Sequence, residues 1–251
     1  MADPYAALLA HTARSMALDE VAGLIGWDQE TVMPAAGGPQ REEHAAALEE
    51  ARHARNTDPK IAEWLSEIDT AALPPDARRN IELIRRRYTR TIALPAELSI
   101  ELARQTTAGQ RLWAEARKQN DFSLFAPALT RIVDLKRQQA ACCREGDAPL
   151  YDALLDGYEP DMTSARLTPL FERLRAPLSD LRAEIAERGL PSAKLSGHFP
   201  KEAQLGFAHA LARIFGYNLE AGRIDTAVHP FSSGSGRDVR ITTRVDEEDP
   251  A

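Results

Sequence analysis

Apolar positions recur at helical spacing along most of this 251-residue chain and change to strand spacing only near its end. Asp3-Pro4 supplies an N-cap and an N1 proline. Tyr5, Leu8, Leu9, Met16, Val21, Leu24 and Ile25 then fall close to one helical face. The stretch from Met33-Pro34 to Pro39 breaks that helix, and Pro39 opens a second one carrying Arg41, Glu42, Glu43 and His44. Asp58-Pro59 starts a third, with Ile61, Trp64, Leu65 and Ile68 inward. Leu73-Pro74-Pro75-Asp76 separates it from a helix through Tyr88, and Leu94-Pro95 precedes a periodic run to about Lys118. Asn120-Asp121 caps the next start, which carries Phe122, Phe125, Leu129, Ile132, Val133 and Leu135. Glu145 to Met162, rich in Gly, Asp, Pro and Tyr, predicts an irregular connection. Thr163 caps a helix holding Leu167, Leu170, Phe171, Leu174, Leu178, Leu181 and Ile185, which Gly189-Leu190-Pro191 ends. An extended piece around Leu195 to Phe199 precedes Pro200, which opens a helix from Lys201 to Phe215.

From Ala221 to Arg244 the chain reads AGRIDTAVHPFSSGSGRDVRITTR, and the pattern changes. A Pro-terminated turn and a Ser/Gly loop lead into a run in which Val239, Ile241 and Thr243 alternate with Asp238, Arg240, Thr242 and Arg244. That is the period of a strand with two unlike faces. The expected class is all-α, a multi-helical array of long helices with a small β-strand or hairpin element near the C-terminus. Residues 1–228 make the helical region, and 229–251 a loop-strand element with a flexible acidic tail. Helices alone would not need a charged strand introduced by a lone His-Pro-Phe.

His229-Pro230-Phe231 followed by Asp238-x-Arg240-x-Thr242 resembles the paired HPF and DxRxT motifs of the carboxypeptidase Taq family of metallocarboxypeptidases. Trp27-Asp28-Gln29-Glu30-Thr31 with Met33-Pro34 resembles that family's N-terminal WDxxTxMP segment. Trp113, Ala116-Arg117, Asp121-Phe122, Phe125 and Pro127 are similar to its central pattern. Two further blocks, Tyr151 to Met162-Thr163 and Gly222-Arg223-Ile224-Asp225, also match in order. The resemblance implies a zinc- or cobalt-dependent peptide hydrolase that releases C-terminal amino acids, with a peptide substrate, a cytoplasmic setting and a homodimer as partner. It also implies a zinc-binding HExxH helix shortly after the DxRxT strand. None of the six histidines, His11, His44, His53, His198, His209 and His229, has another four residues on. A catalytic zinc needs about three protein ligands, so the metal-site expectation for this chain is none, with no zinc held and no turnover by the chain alone. Glu42-Glu43-His44 lacks the partner histidine and is rejected as a zinc site.

The chain therefore reads as the N-terminal portion of such an enzyme, supplying cleft wall and substrate-binding strand. The alternative is a catalytically inactive helical scaffold that binds peptides or self-associates. An exposed strand edge can pair the backbone of an incoming peptide, and Asp238 to Arg244 has the period for that edge. His229 is the candidate catalytic residue, donating a hydrogen bond to substrate backbone or to developing negative charge. His229, Asp238, Arg240 and Thr242 are the candidate substrate-binding residues. The competing reading makes Asp238 and Arg240 a structural ion pair and His229 a turn residue. Trp27, Trp113 and Phe122 read as packing anchors, Asp28 and Thr31 as capping groups, and Asp152, Asp156 and Glu159 as solvated or capping carboxylates.

Composition narrows the picture further. The net charge of −7 and dispersed arginines exclude a general nucleic-acid binder, and Arg85-Arg86-Arg87 reads as a solvated helix face. No apolar run approaches the roughly 20 residues that span a bilayer, and MADPYAALL lacks the regions of a signal peptide. The only cysteines, Cys142 and Cys143, are adjacent and cannot staple distant elements, so both read as reduced thiols.

Overall fold

The computed structural model describes residues 3–189 and 196–249. Its helices are α1 (Pro4–Thr31), α2 (Gly38–Asn56), α3 (Pro59–Glu67), α4 (Pro75–Ile92), α5 (Ala96–Gln119), α6 (Ala126–Cys143), α7 (Leu150–Leu155), α8 (Ser164–Arg188) and α9 (Lys201–Ile214). Three strands follow: β1 (Gly222–Thr226), β2 (Ser232–Ser235) and β3 (Asp238–Thr243). The all-α class with a small β element is what the structure has. By contacts it divides into one compact unit of α1–α6 with the three strands, and another of α7–α9 with the segment after β3.

In the first unit the expected caps do the work assigned to them. Asp3 Oδ1 accepts from the Tyr5 amide and Asp58 Oδ1 from the Lys60 amide, each at 3.0 Å. Asn120 ends α5 in the left-handed region at φ +51°. Leu8, Ile61, Leu65 and Ile81 form a buried cluster, with Tyr5, Trp64, Ile68, Leu73, Ile84 and Tyr88 packed around it. One expectation fails on α1. Leu8 is buried but Met16, Val21 and Leu24 are exposed, while Ser15 and Trp27 are buried instead. Much of the middle of α1 is met by polar contacts instead, with His11 and Ser15 facing Arg55, and Asp19 facing Arg52 and Arg87, while Leu8 packs in the apolar cluster and Trp27 under the sheet. At the α5–α6 crossing a Cβ on Gly109 would lie 2.7 Å from Ile132 Cδ1, so a larger residue there would displace the end of that side chain.

The sheet has the order β1-β3-β2, with β1 parallel and β2 antiparallel to β3. This corrects the single-strand reading of the C-terminal run. The Ser/Gly stretch expected as a loop is itself β2, and Gly222–Thr226 is β1. Gly236-Arg237 closes a two-residue hairpin between Ser235 and Asp238, with Gly236 at φ +59° as a primed turn requires. Because β3 is the middle strand, Asp238 to Thr243 presents no open edge, and that expectation is overturned. A peptide strand joining this sheet would have to add beside β1 or β2, and Ser235 of β2 is tied to α1 through Glu20.

In the second unit the stretch expected as an irregular connection contains the single-turn helix α7. Asp152 and Asp156 act as capping carboxylates, accepting from the Ser164 and Asp161 amides at 2.8 and 3.0 Å. Thr163 Oγ1 caps α8 through the Arg166 amide at 3.3 Å, and Gly189 closes it at φ +57°. Leu190-Pro191 and Leu195 lie outside the described residues, and residues 196–199 form no strand. Glu247 Oε1 accepts from the Lys201 amide at 2.9 Å, supplying a cap to α9. Of the acidic tail, Pro250 and Ala251 also lie outside the described residues. On α8, Leu170, Phe171, Leu174, Leu178, Leu181 and Ile185 are all exposed, the last at 62%.

Candidate functional site

The last turn of α1 gathers the sequence blocks that lie farthest apart. Consecutive residues there point around the helix, about 100° apart, so each meets a different neighbour. Asp28 pairs with Arg41 of α2, whose Nη1 also donates to the Ile25 carbonyl at 2.6 Å. Gln29 Nε2 donates to the Thr107 carbonyl of α5 at 3.1 Å. Thr31 Oγ1 donates back to the Trp27 carbonyl at 2.6 Å. Glu30 is hydrogen-bonded to Gln110 of α5 and lies in the field of His229. Burial raises the Glu30 carboxyl above its ordinary pKa, and Gln110 and His229 only partly offset that.

Trp27, 4% exposed, carries the sheet. The guanidinium carbon of Arg240 lies 4.0 Å from its ring centroid and that of Arg223 4.9 Å. Arg223 on β1 and Arg240 on β3 are register partners, so their side chains leave the same sheet face. Each holds a carboxylate two residues away with two parallel bonds. Arg240 Nε and Nη2 donate to Asp238 at 2.8 and 2.9 Å, and Arg223 Nε and Nη2 to Asp225 at 2.7 and 2.6 Å. The hydrogen bonds from Arg240, with further attraction from Arg240 and Arg223, hold the Asp238 carboxyl below its ordinary pKa.

Thr242, 4% exposed, clips the turn that carries His229. Its Oγ1 accepts from the Phe231 amide at 2.7 Å and donates to the Phe231 carbonyl at 3.0 Å. The Thr242 amide donates to that same carbonyl at 2.8 Å. His229 is exposed and stands edge-on to Trp113, with centroids 6.5 Å apart and planes at 86°. Arg117 lies 5.6 Å from the Trp113 centroid.

Of the residues expected from the sequence, Asp238 and Arg240 thus form one ion pair on Trp27. Thr242 is interior and bound to Phe231. His229 alone stands exposed beside acidic and aromatic neighbours. Sequence reasoning missed Glu30, Gln110, Arg223 and Asp225, and placed Trp27 only as packing. A usable signal was there: Arg223-x-Asp225 and Asp238-x-Arg240 each place an arginine and a carboxylate on one face of a strand, two residues apart. What the arrangement can do chemically is present an imidazole hydrogen bond at a fixed turn, beside a carboxyl that burial raises above its ordinary pKa.

An N-terminal WD segment holding HPF and DxRxT elements in one three-stranded sheet defines a class, and the chain belongs to the carboxypeptidase Taq (M32) metallopeptidase family, whose model matches residues 7–251. Thermostable carboxypeptidase 1 of Thermus thermophilus is 39% identical over 259 aligned residues, covering 97% of this chain and 51% of that protein. The solved structure of BsuCP superposes with a TM-score of 0.92 at 26% identity, over 98% of this chain and 50% of that one. The M32 carboxypeptidase of Deinococcus radiodurans R1 gives 0.82 at 32% identity, again over 98% and 50%. The chain spans about half the length of the curated relatives it matches.

The family name implies a metal, and the residues here do not fit one. Among the described residues no group of three or more His, Cys, Asp or Glu side chains converges as a metal site. Glu30 and His229 are one acid and one histidine, short of the about three ligands a catalytic zinc takes. Among the described residues no helix is long and apolar enough to cross a membrane.

Proposed function

We propose that this chain is the N-terminal portion of a metal-dependent carboxypeptidase and forms one wall of its peptide-binding cleft. The observation that carries the reading is the convergence of Trp27, Glu30, Trp113, His229 and Arg240, drawn from α1, α5, β3 and the turn between β1 and β2 onto one place. The metal, zinc or cobalt, and its ligands come from the other half of the family fold. His229 donates a hydrogen bond to the substrate backbone or to negative charge developing on the scissile carbonyl, a contribution of the oxyanion-stabilising kind. Asp238 and Arg240 fix the sheet, Thr242 fixes the turn, and any backbone pairing by the peptide falls to the outer edge of β1. The setting is cytoplasmic and the assembled enzyme is a homodimer.

The test assembles the chain with a polypeptide carrying the HExxH half of a relative and follows amino-acid release from blocked dipeptides. Activity should vanish with chelator and return with zinc or cobalt. His229→Ala should lower turnover about 10²–10³-fold and move the melting temperature less than Thr242→Val does. The reverse ranking refutes the role of His229. The chain alone should hold no stoichiometric zinc, and one tightly bound zinc per chain would refute the division of labour. A second reading, a helical scaffold that self-associates, draws on the exposed apolar stripe of α8.

A further inference from the structure

Arg223 and Arg240 stand directly opposite each other on adjacent strands, an arrangement in which like charges repel. Asp225 and Asp238 offset that repulsion: Arg223 holds Asp225, Arg240 holds Asp238, and Arg223 also attracts Asp238 across the two strands. The two guanidiniums also share one indole face. The negative face of an aromatic ring attracts a cation within about 6 Å, and tryptophan does so best. Both arginines lie inside that range on Trp27.

Trp27 is also an uneconomical choice for packing. Its Nε1 is buried and finds no hydrogen-bond acceptor among the described residues, and a buried N–H without a partner destabilises the fold. A phenylalanine or leucine would fill much of the same space without that penalty. The feature that only the indole supplies is the broad, electron-rich face under two cations. From Arg240 the connection to the proposed site is short. Arg240 is two residues from Thr242 on β3, and Thr242 holds both backbone groups of Phe231 in the turn bearing His229.

We propose that Trp27 is a positioning residue, an aromatic clamp that holds the paired Arg223 and Arg240 side by side and thereby seats β1 and β3, with the His229 turn, on the last turn of α1. Its effect on a reaction rests on the reading given under Proposed function. The clamp itself does not.

The experiment uses the 251-residue chain, isotope-labelled, with the Arg240 side-chain Nε–Hε signal identified by its loss in Arg240→Lys and the His229 ring signals by their loss in His229→Gln. Stacked on an indole, the Arg240 signal should be displaced upfield. Trp27→Leu should abolish that displacement and shift the His229 ring signals. Trp27→Phe, which keeps a weaker π face, should retain part of the displacement and restore the His229 signals toward their original positions. The clamp is overturned by an undisplaced Arg240 signal in the unaltered chain. It is equally overturned if Trp27→Leu lowers the melting temperature while the Arg240 and His229 signals stay put, since Trp27 is then core alone. Should Trp27→Leu fail to fold, Trp27→Phe decides: a wholly lost displacement in that variant refutes the clamp. The assembled-enzyme assay separates the two proposals. Unchanged turnover in His229→Ala with the spectral effects intact sinks the functional reading and leaves the clamp, and the opposite pair of results sinks the clamp alone.

Discussion

Replacing Thr242 by valine keeps the shape of a buried side chain and removes one oxygen, which makes it a sharp probe of the turn. That oxygen accepts from the Phe231 amide at 2.7 Å and donates to the Phe231 carbonyl at 3.0 Å. The carbonyl keeps the Thr242 amide as donor at 2.8 Å, so valine orphans only the amide of Phe231. Leaving a buried donor unpaired costs about 1–3 kcal/mol. Phe231 is half-buried and its amide recovers some hydration, which places the loss at about 1–2 kcal/mol within that range. Thr242→Ser removes the methyl and keeps the hydroxyl, at about 0.8 kcal/mol for the lost carbon. Denaturant midpoints at constant slope measure both, but the two costs are too close to separate the causes. Hydrogen exchange separates them. A loss of 1–2 kcal/mol corresponds to roughly 5- to 30-fold faster exchange at the Phe231 amide in Thr242→Val, with little change there in Thr242→Ser. Equal exchange at Phe231 in all three chains would refute the clip.

Three further outcomes follow from particular contacts. Gly234 sits at φ +92°, where a Cβ would come within 1.9 Å of the Asp238 carbonyl oxygen, so Gly234→Ala should destabilise by about 1–3 kcal/mol and shift the amide signals of the β2–β3 pair. Intact β2–β3 signals would contradict it. Burial raises the Glu30 carboxyl, so the charged form opposes folding above its folded pKa and the penalty fades below the ordinary glutamate value of 4.5. Glu30→Gln should therefore raise the melting temperature at pH 7 and lose that advantage as pH falls toward 4, and a lower melting temperature at pH 7 would show the burial to be outweighed. On α8, Leu178 and Ile185 are 58% and 62% exposed, and changing both to glutamate should reduce self-association in sedimentation velocity without lowering helicity. Unaltered association would place the contact elsewhere.

How much of this was legible depended on whether the information was local. Asp3-Pro4, Asp58-Pro59 and Thr163 announced helix starts because the capping bond closes within three residues. The apolar period identified α3 and α4, whose buried Ile61, Leu65 and Ile81 are core. β1 and β2 were not legible. Ser232–Ser235 has no apolar alternation, and both strands exist by pairing with β3, whose residues lie several positions downstream. The six-residue α7 is likewise too short to show a period. For the site, the motif residues His229, Asp238, Arg240 and Thr242 stood out, but their roles did not. Whether Thr242 faces a peptide or Phe231 is decided by which face of β3 is interior, and that is set by the packing of the same face, through Arg240, on Trp27 of the distant α1. Trp27 looked like core because nothing near it in sequence carries the arginines that need it.

The strongest support for a functional site here is that the local rules broken in the first unit cluster together. A carboxyl made more basic by burial at Glu30, two arginines opposed across β1 and β3, and an indole N–H without an acceptor at Trp27 all meet at the end of α1 and the adjoining sheet. Each is individually unfavourable, and random drift toward marginal stability would scatter them along the fold rather than gather them. Elsewhere in that unit the Leu8–Ile61–Leu65–Ile81 cluster is wholly apolar, and the partly buried Asp19 carboxyl is answered by both Arg52 and Arg87; Lys136 of α6, pushed down by burial, is a separate exception. The exposed stripe on α8 is a departure of another kind, since it consists of apolar side chains. A surface of that kind asks for a covering protein face, whereas the Trp27 cluster holds charge and hydrogen-bonding groups in fixed places, which is what binding and positioning a polar substrate require. The two features therefore belong to separate proposals: the end of α1 with its sheet to the peptide cleft, and the α8 stripe to self-association.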